Sequence, residues 1–157
     1  MMRLMCYRLN IKSEQAVGSM EFKYLRSAYY YETDRMDIVH HSNYVRWLEE
    51  SRVEMMEKMG FPFAKLEAMG VMVPVLSVQT EYFYPVRFGD KFEVTSKLTD
   101  FNGCKFSLEY EVRNVTQDKL SLKAKTSHCF TNSQLRPVRL KKVCPELYEL
   151  YLKYMEK

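Results

Sequence analysis

The chain predicts a single α+β domain in which one long helix lies against a curved antiparallel sheet. Three features carry that reading. Tyr44, Leu48, Ser51, Met55 and Met59 recur at helical spacing up to Gly60, so one apolar face runs the length of a helix. Beyond Gly70 the period changes from helical to two, as it does in half-buried strands. Turn signals at 85–90, 102–103 and 116–119 then cut the alternating region into hairpins, which makes an antiparallel meander. A chain of 157 residues suits one domain, and at that size folding buries about 68–70% of the surface the unfolded chain exposes.

The elements follow in order. Residues 1–19 do not continue the later pattern and read either as a flexible extension or as the product of a mis-assigned upstream start; the domain begins at Met20. Tyr24 to Tyr31 is aromatic and partly alternating, which predicts a strand. The long helix starts near Ser42 or Asn43, either of which can cap it, and ends at Gly60. Phe61 to Gly70 predicts a short second helix with Pro62 in its first turn. Val71 to Tyr84 predicts a strand with an edge or bulge at Pro74, because proline has no N–H to give a ladder. Lys91 to Leu98, Lys105 to Arg113 and Leu120 to Phe130 predict three further strands, the first two joined by Asn102-Gly103, whose residues accept positive φ. A last helix covers Pro145 to Tyr154.

Composition excludes several classes. The chain is 46% hydrophobic and 28% charged with five prolines and five glycines, which is ordinary globular usage. A net charge of +4, with acids interleaved except in Arg136 to Lys142, is too small for a nucleic-acid partner but suits anionic ligands such as a phosphate-bearing carrier. Cys6, Cys104, Cys129 and Cys144 form no C-x-x-C pair and no spacing to histidine that resembles a metal site, so we expect free thiols in a reducing cytoplasm and no metal. No run reaches the roughly 18 apolar residues of a membrane span, and the N-terminus lacks a signal-peptide apolar region.

The chemistry is expected where the aromatic strand meets the long helix. A helix start presents backbone N–H groups without intrahelical partners, backed by the macrodipole, and so can hold a developing oxyanion. Asp34 lies a few residues upstream on the incoming turn, so a carboxylate and an oxyanion donor can converge on one carbonyl carbon. That is the outline of acyl transfer.

The run Asp34-x-x-x-Ile38-Val39-His40-His41-Ser42-Asn43-Tyr44-Val45-Arg46-Trp47-Leu48-Glu49 resembles the signature of the 4-hydroxybenzoyl-CoA thioesterase-like acyl-CoA thioesterases, which have the hot-dog fold. The likeness extends from about Met20 to the Arg136-Pro137 region. It implies a single hot-dog domain over 20–157, hydrolysis of an acyl-CoA or acyl-carrier-protein thioester without a cofactor, and a homodimer or homotetramer with the site shared across the interface. It assigns Asp34 as nucleophile or as base for water, with amides at the helix start polarising the carbonyl. His41, Tyr44 and Asn43 fall in the matching block as substrate-binding candidates, Asn43 also as a structural cap. Where the family commonly has glycine this chain has Asp37, a residue that tolerates the left-handed conformation.

Lys105, Arg136 and Arg139 are candidates for a coenzyme A phosphate. Glu49, Glu50, Glu54 and Glu57 read as ordinary surface partners of Arg46 and Lys58. His40 reads as structural, and His128 as neither ligand nor part of a nucleophilic pair. Two other functions stay compatible with these residues. A dehydratase or hydratase of 3-hydroxyacyl thioesters would use His41 as base, and a non-catalytic acyl-CoA-binding module would need no base.

Overall fold

The computed structural model describes residues 21–155, and the extension read over 1–19 lies outside them. The elements are β1 (Glu21–Ser27), α1 (His41–Lys58), α2 (Phe63–Ala68), β2 (Val75–Tyr82), β3 (Lys91–Phe101), β4 (Lys105–Asn114), β5 (Lys119–Cys129), α3 (Leu140–Val143) and α4 (Pro145–Met155). The strands form one antiparallel sheet in the order β1-β3-β4-β5-β2, so β1 and β2 are its edges. This is the α+β, single hot-dog arrangement expected from the sequence.

Two elements differ from expectation at their ends. The aromatic run ends as a strand at Ser27, and Tyr30–Glu32 form a 3₁₀ turn instead. The cause is Glu32, whose carboxylate takes the Tyr29 N–H at 2.7 Å and pulls the backbone out of the ladder. β2 is shorter than the apolar run that contains it. Pro74 stands one residue before it, a register shift separates Val75 from Ser77, and Met72 is held only by an isolated bridge to Thr131.

The alternation of β3, β4 and β5 drives the core, since their even-numbered side chains turn to the helix side and are mostly buried. α1 lays Tyr44, Trp47, Leu48 and Met55 on that face, with Trp47 stacked on Phe92 at 3.8 Å between ring centroids. Ser51, also on this face, bonds the buried Ser96 hydroxyl at 2.6 Å, so neither hydroxyl is left unpaired. α4 covers the other half of the sheet, with Tyr151 edge-on to Phe106 and Phe130. Among the described residues no helix is long and apolar enough to cross a membrane.

His128 is buried within this core, stacked on Phe106, and burial together with the nearby Arg52 charge pushes its imidazole down to about 3. The folded state therefore holds the neutral ring while the unfolded chain takes a proton below its ordinary value of about 6.5. Stability contributed by the neutral ring is present above that value and is lost as pH falls toward the folded value. Between pH 7 and pH 5 the loss is about 2 kcal/mol. Urea midpoints at the two pH values should show this fall in the wild type and a smaller one in His128→Phe; equal falls would contradict it.

Candidate active site

Residues 33–39 form a closed turn. Thr33 and Val39 make an antiparallel bridge, and Asp34 N–H donates to the Ile38 carbonyl at 2.9 Å. Asp34 itself folds the turn: its Oδ1 accepts the Met36 N–H at 2.8 Å, in an Asx arrangement. Its Oδ2 has no hydrogen-bond partner among the described residues. Asp37 adopts the left-handed conformation at φ 57, as a residue replacing glycine must, and its carbonyl takes Nη1 of Arg87 at 3.1 Å.

The turn is fixed to α1 by Glu32. The Glu32 carboxylate accepts Trp47 Nε1–H at 2.8 Å and an Arg26 guanidinium N–H, while its carbonyl accepts the His40 N–H at 2.9 Å and the Asn43 side-chain amide at 2.8 Å. Arg26 also pairs with Glu50 at 3.0 Å. This buried acid sets where the turn and the helix start meet. Sequence reasoning passed over it, because its side-chain partners lie six residues before it and fifteen after.

His40, not Ser42 or Asn43, caps α1. Its Nδ1 faces the Ser42 hydroxyl at 2.9 Å and accepts the Ser42 N–H at 3.4 Å, and its carbonyl takes the Asn43 N–H at 2.9 Å. A histidine does this here because its ring nitrogen reaches the place a serine oxygen usually fills. The His41 N–H is left without a partner among the described residues, at the positive end of an 18-residue helix.

These groups open on one cleft of about 310 Å³ between the turn, the start of α1 and the chain leaving β2. Asp34, His41 and Tyr44 line it, with Met36, Tyr82 and Ser121. Tyr44 is buried, its ring edge-on to Tyr82, and its hydroxyl accepts the Val86 N–H at 3.0 Å. Burial pushes its phenol up, so it stays protonated. The Tyr82 hydroxyl donates to the His41 carbonyl at 3.1 Å, tying β2 to the helix start. Tyr82 and Ser121 carry no sequence signal beyond strand alternation.

The structure thus brings Asp34, His41 and Tyr44 together. It does not bring Asn43 or Lys105 to them. Asn43 spends its amide on the Glu32 carbonyl. Lys105 pairs with Cys129 at the far end of β5, eight residues or about 26 Å from Ser121. Arg136 and Arg139 follow the same end of the sheet and are exposed. Of the helix glutamates, Glu54 pairs with Lys58 at 2.7 Å and Glu49 with Arg52 at 2.7 Å.

Comparison with known proteins gives matches over most of the chain. A family model described as the thioesterase-like superfamily matches residues 29–149. YneP of Bacillus subtilis (strain 168), provisionally named an acyl-CoA thioesterase, is 34% identical over 125 residues, which is 79% of this chain and 90% of YneP. The crystal structure of a DHNA-CoA thioesterase from Staphylococcus aureus superposes with a TM-score of 0.83 at 26% identity, covering 87% of this chain and 91% of that one. A protein of unassigned activity from Aquifex aeolicus superposes with a TM-score of 0.76 at 37% identity, covering 83% and 98%.

Proposed function

The chain belongs to the thioesterase-like superfamily, and from that premise we propose that it is an acyl-CoA thioesterase with Asp34 as its catalytic carboxylate. The observation that carries this reading is the shared cleft: Asp34, with one carboxylate oxygen free, lines the same cavity as His41, whose N–H at the first position of α1 has no partner among the described residues. The thioester carbonyl takes the His41 N–H and the helix dipole on its oxygen, and Asp34 meets its carbon, either directly or through a water.

Little else is required. A thiol with a pKa of about 8.5 leaves as thiolate without a dedicated acid. An ionised aspartate attacks, or takes the proton of an attacking water as the tetrahedral intermediate forms. Collapse of that intermediate expels the thiolate: the water route yields the carboxylic acid and free thiol directly, whereas direct attack leaves the acyl group on Asp34 as a mixed anhydride, which a water then hydrolyses to the carboxylic acid and free Asp34. The carrier is coenzyme A or the phosphopantetheine arm of an acyl-carrier protein, and the place of action is the reducing cytoplasm, where Cys104 and Cys129, whose sulfurs share a hydrogen bond at 3.7 Å, stay as thiols.

The test is release of free thiol from a panel of acyl-CoAs of graded length. Hydrolysis of at least one member is expected. Formation of an enoyl product without thiol would instead assign a dehydratase with His41 as base.

The reading includes assembly into a homodimer or a tetramer built from it. β2 is an open edge that exposes Val75, Leu76, Val78 and Tyr82, a row of backbone donors and acceptors flanked by apolar side chains. Antiparallel pairing of two such edges about a two-fold axis extends the sheet. It also lays the Lys105 end of one chain beside the Asp34 end of its partner, the one way Lys105 reaches a bound carrier. Sedimentation should give at least twice the chain mass, falling to the single-chain mass in Leu76→Lys. A monomeric wild type would contradict it.

A further inference from the structure

Two thiols meet at the end of the sheet away from Asp34. Cys104 lies in the turn between β3 and β4, Cys129 ends β5, and their sulfurs stand 3.7 Å apart. They are 25 residues apart in sequence, so the fold and not the local chain makes the contact. Cys104 is half-buried and Cys129 is 2% exposed. The turn joins β3 to β4, and β5 separates it from the β2 edge, so pairing of two such edges leaves it outside the paired backbone.

The backbone on both sides is held. Asn102 Oδ1 accepts the N–H groups of Cys104 at 3.1 Å and Lys105 at 2.8 Å, and the Cys104 carbonyl accepts the Phe130 N–H at 2.8 Å. Cys129 donates its own N–H to the Pro74 carbonyl at 3.3 Å. The side chains keep the freedom to rotate. A disulfide needs the sulfurs at about 2.05 Å, so each has to move by less than about 1 Å. A metal is a poorer occupant: two thiolates are half of a tetrahedral zinc site, and no cluster of three ligating side chains exists among the described residues.

The two thiols are not equivalent. Burial, with the hydrogen bond to Cys104, pushes the Cys129 thiol up, so it stays protonated and out of reach of solvent. Its Sγ also donates to the Phe130 carbonyl at 3.5 Å, an arrangement that leaves a sulfur lone pair for Cys104. Cys104 is the thiol that a solute can reach, and reactivity toward oxidants follows exposure and thiolate character.

We propose that Cys104 and Cys129 form a reversible redox modification site whose reactant is a hydroperoxide, with Cys104 as the oxidised thiol and Cys129 as the resolving one. In the first step the Cys104 thiolate takes the terminal oxygen of the peroxide, the O–O bond breaks, and the departing hydroxide or alkoxide leaves as water or alcohol. In the second, Cys129 Sγ bonds to Cys104 Sγ, the S–O bond breaks, and the hydroxide takes the Cys129 proton and leaves as water. Two thiols are oxidised to one disulfide and one peroxide is reduced. Transient disulfides of this kind are the ones a reducing compartment permits. The site stands apart from the Asp34 cleft and does not depend on its chemistry.

The test treats the reduced full-length protein with hydrogen peroxide, caps the remaining thiols by alkylation, and maps tryptic peptides by mass spectrometry. The wild type should lose two free thiols per chain and join peptide 98–105 to peptide 126–139, while running at the single-chain mass on a non-reducing gel. Dithiothreitol should restore both thiols. In Cys129→Ala, Cys104 should pass on to the sulfinic acid, which dithiothreitol does not reverse. In Cys104→Ser, Cys129 should remain a thiol at the same dose. Sulfinic acid on wild-type Cys104 beside a free Cys129 overturns the proposal. So does a bond from Cys104 to any other cysteine, or survival of both thiols at a dose that oxidises free cysteine.

Discussion

Asp34→Asn is expected to lower kcat for thioester hydrolysis by about a hundred- to ten-thousandfold, the range over which a positioned base or nucleophile acts. The size of the effect follows from what the substitution leaves in place. An asparagine Oδ1 still accepts the Met36 N–H, so the turn closed by the Thr33–Val39 bridge keeps its shape, and His41 still lines the cleft. The group loses its negative charge, and an amide nitrogen replaces the free oxygen, Oδ2. Steady-state thiol release gives the number, and an unchanged KM shows that binding is intact. An asparagine variant as fast as the wild type would remove Asp34 from the chemistry.

Glu32→Ala is expected to destabilise the fold by about 3–5 kcal/mol, the summed cost of leaving the N–H donors of Trp47, Tyr29 and one arm of Arg26 without their acceptor. Arg26 would keep Glu50, but the Trp47 indole N–H and the Tyr29 N–H would lose their acceptor inside the protein. In a chain whose total stability is of order 5–15 kcal/mol this is a large fraction, and thermal unfolding should shift down by about 10 °C or more. Because the Glu32 network joins the Asp34 turn to α1, kcat should fall along with stability even at temperatures where the variant is folded. Glu32→Gln should restore part of both, since its amide oxygen still accepts from Trp47. An alanine variant that melts with the wild type would show the network to be ornamental.

The parts of this molecule written in local pattern were readable in advance. The stripe from Tyr44 to Met59 placed α1, period-two alternation placed β3 to β5, and Asn102-Gly103 placed their hairpin, with Gly103 at φ 85. Pro74 marked the irregular start of the edge strand. Asp37 took the left-handed conformation its chemistry allows. What depended on contacts distant in sequence was not readable. The tyrosine run looks like a strand by propensity, and only the reach of Glu32 back to the Tyr29 N–H and across to Arg26 and Trp47 makes it a turn. His40 took the cap from Ser42 and Asn43 because Asn43 is drawn to the Glu32 carbonyl. His128 looked like one more strand residue, and its burial with Arg52 follows from how α1 crosses the sheet. Lys105, read as a contact for a coenzyme A phosphate, is carried by β4 and β5 to the end of the sheet away from Asp34, a placement that only strand pairing distant in sequence sets.

The arrangement asks one side chain and one helix end to act on the same atom pair, so the decisive measurement is the crystal structure of Asp34→Asn with an intact acyl-CoA that the wild type hydrolyses. The account predicts the thioester oxygen about 2.7–3.1 Å from the His41 amide nitrogen, with its carbon facing the residue-34 side chain. A thioester bound elsewhere on the molecule, or one in the cleft with its oxygen turned away from the start of α1, would contradict it.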